Sequence, residues 1–87
     1  IIFNECLEYF ADPLGLVQRY ERFLRQDGIF IVSMFAGLDT VRTKRIWKRL
    51  RSAYTTVAKA QITTKPGYSW IIQVLTPLRS QIGAKQI

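Results

Sequence analysis

Two short apolar segments, 1–3 and 29–33, constrain the fold more than any other feature of the chain. Both are rich in β-branched or aromatic residues, as is typical of strands buried in a parallel sheet. The residues between them predict a helix, with Asp12 as N-cap and Pro13 at the first helical position. Gly28 is expected to end that helix in a left-handed conformation. Strand, helix and strand together predict a βαβ unit.

Each predicted helix has one apolar side that can pack against a sheet. In the first helix the stripe consists of Leu16, Val17, Tyr20 and Leu24. The second helix is expected to begin at a cap, Asp39 or Thr40, and to run to about Tyr54. Its predicted buried side consists of Ile46, Trp47, Leu50 and Tyr54.

The carboxyl-terminal part of the chain predicts an antiparallel hairpin. Its first strand is expected over 56–63, where Ala58, Ala60 and Ile62 alternate with polar residues. The sequence Lys-Pro-Gly-Tyr at 65–68 favours a type II turn, and an apolar strand follows over 68–75. The element order is therefore β-α-β-α-β-β, an α/β domain over 1–76 with a tail over 77–87.

The stretch NECLEYFADPLGLVQRYERFLRQDGIFIVS, residues 4–33, resembles the second half of class I S-adenosylmethionine-dependent methyltransferases. In that family a strand ends in a short polar or acidic motif, and a helix that begins with Asp-Pro follows. A glycine-containing stop and an apolar strand that ends near a serine come next. The resemblance implies a Rossmann-like partial sheet with the order first strand, second, fourth, third. It also implies that the final strand is antiparallel.

The resemblance also assigns roles to residues just after the first strand. Asn4, Glu5 and Cys6 would line the methionine and sulfonium end of S-adenosylmethionine, and Glu8, Tyr9 and Phe35 would lie on the substrate side. Without the resemblance, Glu5 and Glu8 are expected only to cap or solvate a helical turn. We expect Cys6 to be a packing residue rather than a nucleophile, because the chain has no histidine to activate it.

The glycine-rich loop that follows the family's first strand and the acidic residue that holds the ribose are both absent from these residues. All five glycines are isolated and no GxGxG loop occurs, so the chain resembles the carboxyl-terminal half of a domain, beginning inside its fourth strand. These residues alone are expected to be inactive and to need the rest of the domain to bind cofactor. Some family members carry E-x-x-E-H here and use a divalent metal. This chain has Tyr9 at the histidine position, so we predict no metal site.

The chain carries 13 basic and 6 acidic residues, a net charge of +7. Almost half of the basic residues fall on the second predicted helix, which has no acidic residue. One interpretation is a solvated outer face. The alternative is a small nucleic-acid-binding module without catalysis, because clustered cations attract phosphates. The helix residues that would contact nucleic acid are Arg42, Lys44, Arg45, Lys48, Arg49 and Arg51.

Partners and location follow from the same features. If the first strand lies at an open edge, its backbone is free to pair, and we expect a homodimer through that strand. A non-catalytic dimerisation domain is a further alternative. One cysteine excludes an internal disulfide and favours the cytoplasm, and no apolar run is long enough to cross a membrane. No methyl acceptor is predicted.

Overall fold

A computed structural model describes residues 1–37 and 41–78 and contains a mixed four-stranded sheet with two α-helices. The predicted order β-α-β-α-β-β is confirmed, with a 3₁₀ turn at Leu7–Tyr9 after the first strand. The caps proposed at Asp39 and Thr40 lie outside the described residues. No helix within the described ranges could span a membrane. The elements are β1 (Ile2–Asn4), α1 (Pro13–Glu21), β2 (Phe30–Ala36), α2 (Val41–Ala53), β3 (Tyr54–Lys65) and β4 (Tyr68–Pro77).

The strands are ordered β1-β2-β4-β3, which is the order that the resemblance of residues 4–33 implies. β1 and β2 are parallel, whereas β4 is antiparallel to both of its neighbours, β2 and β3. β3 therefore runs in the same direction as β2, on the far side of β4. This leaves β1 and β3 as the two edges of the described sheet.

Helix α1 begins as predicted but ends earlier. Asp12 is the N-cap, and its carboxylate accepts a hydrogen bond from the Gly15 amide at 3.1 Å. The helix ends at Glu21 rather than near Gly28, because the following amides turn back in tighter bonds, such as Leu24 N–H to Glu21 O. The prediction of a left-handed Gly28 was wrong, since Gly67 is the only described glycine with positive φ.

Glycine is required at position 28 because the chain packs closely there, not because the backbone adopts a positive φ. A Cβ at this position would lie 2.7 Å from Cγ of Leu24 and 3.0 Å from the Arg25 carbonyl oxygen. Any larger residue would push the chain away from Leu24, which packs against the core. The glycine was therefore identified correctly as a requirement of this turn, but for the wrong reason.

Both helices pack on the same face of the sheet, where alternate strand residues form the core. Of the predicted α1 stripe, Val17 is buried and Leu16 and Leu24 are half-buried, but Tyr20 is exposed. All four predicted core residues of the α2 region are buried as expected. The core consists of Phe3, Leu7, Val17, Phe30, Val32, Met34, Ile46, Trp47, Leu50, Tyr54 and Leu75.

The opposite face of the sheet is apolar as well, and none of its described residues belongs to that core. Strand pairing aligns these residues in rows across the sheet because successive side chains point to opposite faces. One row joins Ile2, Ile31, Val74 and Ala58, and the next contains Asn4, Ser33, Ile72 and Ala60. We call this surface the back face. Its third row consists of Phe35, Trp70 and Ile62.

The hairpin formed by β3 and β4 extends beyond the helices. Its turn has Gly67 at a φ of 80°, as position three of the predicted type II turn requires. Residues 57–68 are exposed on both faces, so the expected alternation of buried and polar residues in β3 was wrong. A bulge between Thr56 and Ala58 also shifts the register there. β4 continues to a buried Pro77, one residue into the predicted tail.

Candidate functional site

The carboxyl ends of β1 and β2 meet at one rim of the sheet, because the two strands are parallel neighbours. Asn4 lies opposite Ser33 in the parallel ladder, and the Ser33 hydroxyl donates a hydrogen bond to Asn4 Oδ1 at 2.6 Å. The amide of Glu5 continues the ladder by donating to the Ser33 carbonyl at 2.9 Å. The first two of the predicted cofactor-side residues are thus held by the neighbouring strand rather than by a flexible loop.

Glu5 has the most unusual backbone in the described chain. Its φ of 51° lies in the left-handed region, and no other described non-glycine residue has a positive φ. That conformation costs a non-glycine residue about 1–2 kcal/mol, so it persists only where other contacts fix it. Here the amide is held by Ser33, and the carboxylate accepts a hydrogen bond from the Trp70 indole at 2.6 Å. Such local strain is a frequent property of ligand-binding sites.

Trp70 is the residue of this site that the sequence did not reveal. Trp70 is half-buried on the back face and Tyr68 is 45% exposed, so neither ring belongs to the core. Trp70 pairs with Phe35 across the sheet, and their rings meet edge to face at 5.3 Å. Because Trp70 also binds Glu5, it joins the predicted substrate-side Phe35 to the predicted cofactor-side Glu5. Placing Trp70 beside Glu5 requires the antiparallel register of β2 and β4, which the sequence does not specify.

We predict that the bond between Trp70 and Glu5 stabilises the fold by about 1 kcal/mol, a typical net value for a hydrogen bond near the surface. Trp70→Phe removes the N–H donor and keeps an aromatic ring. Trp70→Phe should therefore reduce the free energy of unfolding less in a Glu5→Ala chain than in the wild-type chain. Urea denaturation of the two single variants and the double variant measures this coupling. Strictly additive losses would contradict the predicted contribution.

Cys6 packs against the core and is half-buried, as expected for a packing residue. Burial raises the pKa of its thiol above the ordinary value of 9.0, and the nearby negative charge of Glu8 raises it further. The thiolate is the nucleophilic form of cysteine, so both effects make this thiol less reactive. This environment agrees with a packing role and opposes nucleophilic catalysis.

We predict that iodoacetamide alkylates Cys6 more slowly in the folded chain at pH 8 than in the urea-unfolded chain. The unfolded chain also loses its thiol proton at a lower pH than the folded chain. This group's contribution to folding stability should therefore fall as the pH rises through 9.0 towards the raised folded pKa. The free energy of unfolding of a Cys6→Ser variant should lack this pH dependence. Equal alkylation rates in both states would contradict the raised pKa.

The 3₁₀ turn that carries Glu8 and Tyr9 is fastened to helix α2 by Arg42. The guanidinium of Arg42 donates to the carbonyl oxygens of Glu8 at 3.0 Å and Phe10 at 2.6 Å. Oε1 of Glu8 is buried and makes no hydrogen bond with the described residues, whereas Tyr9 is 83% exposed. The two side chains thus have different surroundings, and their substrate-side role stays a prediction.

The six basic residues of α2 are all exposed but are not equivalent. Arg42 binds the 3₁₀ turn, and Arg49 lies 3.9 Å from the Asp12 carboxylate at the start of α1. By helical spacing, Arg42, Arg45 and Arg49 share the flank facing α1. Lys44, Lys48 and Arg51 share the other flank. The sequence predicted the cluster but not its division or the contacts that two of its members make within the fold.

In the part of the chain that the structure describes, no three Cys, Asp or Glu side chains lie together as metal ligands. Comparisons with models of protein families, with curated proteins and with solved structures found no match. The interpretation of this rim therefore depends on its own geometry and on the resemblance carried by residues 4–33.

Proposed function

We propose that the chain forms the carboxyl-terminal half of a class I S-adenosylmethionine-dependent methyltransferase domain. The single observation that carries the proposal is the strand order β1-β2-β4-β3, with antiparallel β4 between two strands that run in one direction. The family places its last, antiparallel strand beside its fifth strand. On this assignment the four strands are the fourth, fifth, sixth and seventh of a Rossmann-like sheet.

The rim supplies a second line of support. In open α/β sheets, ligands bind in the crevice beyond the carboxyl ends of the strands. Asn4 and Glu5 lie at that end of β1 and are fixed by Ser33 and Trp70. Methyl transfer is a displacement at a sulfonium centre and depends on positioning, with a base where the acceptor needs deprotonation. Asn4, Glu5 and Cys6 would hold the cofactor's methionine end, with Glu8, Tyr9 and Phe35 towards the acceptor.

The open back face supports the same proposal. Sheets of this α/β class carry helices on both faces, and their strands are apolar on both sides for that reason. Here both helices cover one face, while Ile2, Ile31 and Val74 lie on the other. A second layer of helices supplied by the amino-terminal half of the domain would cover this surface.

The coding region upstream of Ile1 tests this assignment. We expect it to encode a strand, a GxGxG-type loop and an acidic residue about 20 positions further on, the pattern that holds the cofactor's ribose. An initiation codon directly before Ile1 would contradict the proposal. Calorimetry on the 87 residues alone is the second test, and we expect them not to bind S-adenosylhomocysteine.

We also propose that two copies of the isolated chain pair through β1. This strand is an edge of the described sheet, and the exposed Ile2 side chain lies on the back face beside it. Exposed apolar edges favour pairing with another strand. Ile2→Lys should therefore shift the chain towards monomer in sedimentation equilibrium, whereas Ile62→Lys on the opposite edge strand should not. A monomeric wild-type chain at high concentration would contradict this prediction.

A nucleic-acid-binding role without catalysis is the alternative that the α2 charges favour. Lys44, Lys48 and Arg51 make no ion pair with the described residues, so they are available to phosphates. That role predicts an affinity for RNA or DNA that falls steeply with salt. It should also be lost when Arg45, Lys48 and Arg49 become glutamate. The methyltransferase proposal requires neither result, and it keeps the expected cytoplasmic location.

A further inference from the structure

A cleft between the start of α1 and helix α2 has the composition of an anion-binding site. Its volume is about 200 Å³. One wall carries the guanidinium-bearing residues Arg42, Arg45 and Arg49, which recur at helical spacing along one flank of α2. The other wall is apolar and includes Pro13 and Leu14, and Ile46 of α2 also lines the cleft.

The three arginines differ in how far they are already engaged. Arg42 is fixed by its two bonds to backbone carbonyls of the 3₁₀ turn. Arg49 faces Asp12 at 3.9 Å, and both side chains are more than half exposed, so this pair is weak. Arg45 makes no hydrogen bond or ion pair within the described ranges. Two guanidinium groups are therefore available to a ligand in the cleft.

We propose that this cleft binds a small phosphate monoester, with the phosphate on Arg45 and Arg49 and the ester group against Pro13 and Leu14. An arginine guanidinium can donate two parallel, charge-assisted hydrogen bonds to the oxygens of one phosphate. Three arginines and one aspartate leave a local charge of +2, which a phosphate dianion neutralises. The cleft is smaller than the roughly 300–1,000 Å³ of typical ligand pockets, so it fits a small ester rather than a nucleic-acid strand.

The carboxylate of Asp12 competes with a bound phosphate for the guanidinium of Arg49. That carboxylate faces Arg49 and also caps α1 through the Gly15 amide. Asparagine caps helices as well as aspartate does but carries no charge. Asp12→Asn should therefore leave α1 intact, release Arg49 and tighten phosphate binding. A structural role of Asp12 alone would not predict any gain in affinity.

Calorimetry with phenyl phosphate as the probe tests the proposal, which does not depend on the methyltransferase assignment. We expect Arg45→Ala to weaken binding about tenfold, the value of one lost charge-assisted bond. Asp12→Asn should strengthen it. Lys48→Ala removes the same charge from a part of α2 outside the cleft and should change the affinity less than about twofold. Inorganic phosphate should bind more weakly than phenyl phosphate, because it makes no contact with the apolar wall.

Three results would overturn the site. Equal losses for Arg45→Ala and Lys48→Ala would mean that the general field of α2, not the cleft, attracts the probe. Equal affinities for inorganic phosphate and phenyl phosphate would remove the apolar wall from recognition. Tight binding of a single-stranded oligonucleotide, with phenyl phosphate inert, would assign the charges to nucleic acid instead. Circular dichroism of each variant confirms that the fold is retained.

Discussion

Phe30→Ala is expected to reduce the free energy of unfolding by about 3–5 kcal/mol, the usual cost of truncating a buried phenylalanine. Phe30 is fully buried in β2, beneath the helices. Its ring lies 5.9 Å from that of Phe3 and meets Tyr54 edge to face at 5.5 Å. The truncation would therefore leave a cavity where β1, β2 and the start of β3 converge.

A loss of this size would consume much of the stability of a chain this short, for which about 4–13 kcal/mol is typical. The measurement is urea denaturation followed by circular dichroism. Phe23→Ala is the matched control, because Phe23 is 66% exposed and should cost less than about 1 kcal/mol. Similar unfolding midpoints for the two variants would contradict the described core.

Arg42→Ala is expected to have the next largest effect, a loss of about 2 kcal/mol. Hydrogen bonds to charged groups contribute roughly 1.5–3 kcal/mol, and exposure to solvent reduces that value. Arg42 makes two such bonds, to the carbonyl oxygens of Glu8 and Phe10. Its removal should loosen the 3₁₀ turn that follows Glu5 and so disturb the rim as well as the global stability.

Hydrogen exchange of the amides of residues 6–10 would separate these two consequences. We expect faster exchange of the Tyr9 and Phe10 amides, which bond to the carbonyls of Cys6 and Leu7 in the folded chain. Arg51→Ala is the matched control, since it removes the same charge from the other flank of α2. If the two variants were equally stable and protected, Arg42 would be only a solvated cation.

Much of the fold follows from local sequence signals. The Asp-Pro helix start, the apolar strand and the Pro-Gly turn each indicate one element, and all three are present. The end of α1 was harder to predict because Gly28 was interpreted by its usual role in helix ends. Its actual role depends on contact with Leu24, which only the folded chain defines.

The part of the candidate site that depends on parallel strand pairing could be predicted from the sequence. The part that depends on the register of the antiparallel strand could not. Asn4 and Glu5 could be placed at a rim because parallel strands present their carboxyl ends together. Trp70 reaches the same rim from 65 positions away, through its pairing with Phe35. The contacts of Arg42 with the 3₁₀ turn depend in the same way on tertiary packing. A charge pattern on one helix contains no information about which carbonyls lie beside it.

Binding of S-adenosylhomocysteine to the protein translated from the complete reading frame tests the central proposal most directly. We predict micromolar affinity by calorimetry, weakened about tenfold by Glu5→Gln, as expected for the loss of one charge-assisted contact. Asp27→Asn, which removes an exposed carboxylate outside the rim, should leave the affinity unchanged. No binding by the folded protein, or equal effects of the two substitutions, would contradict the methyltransferase assignment and the role of this rim.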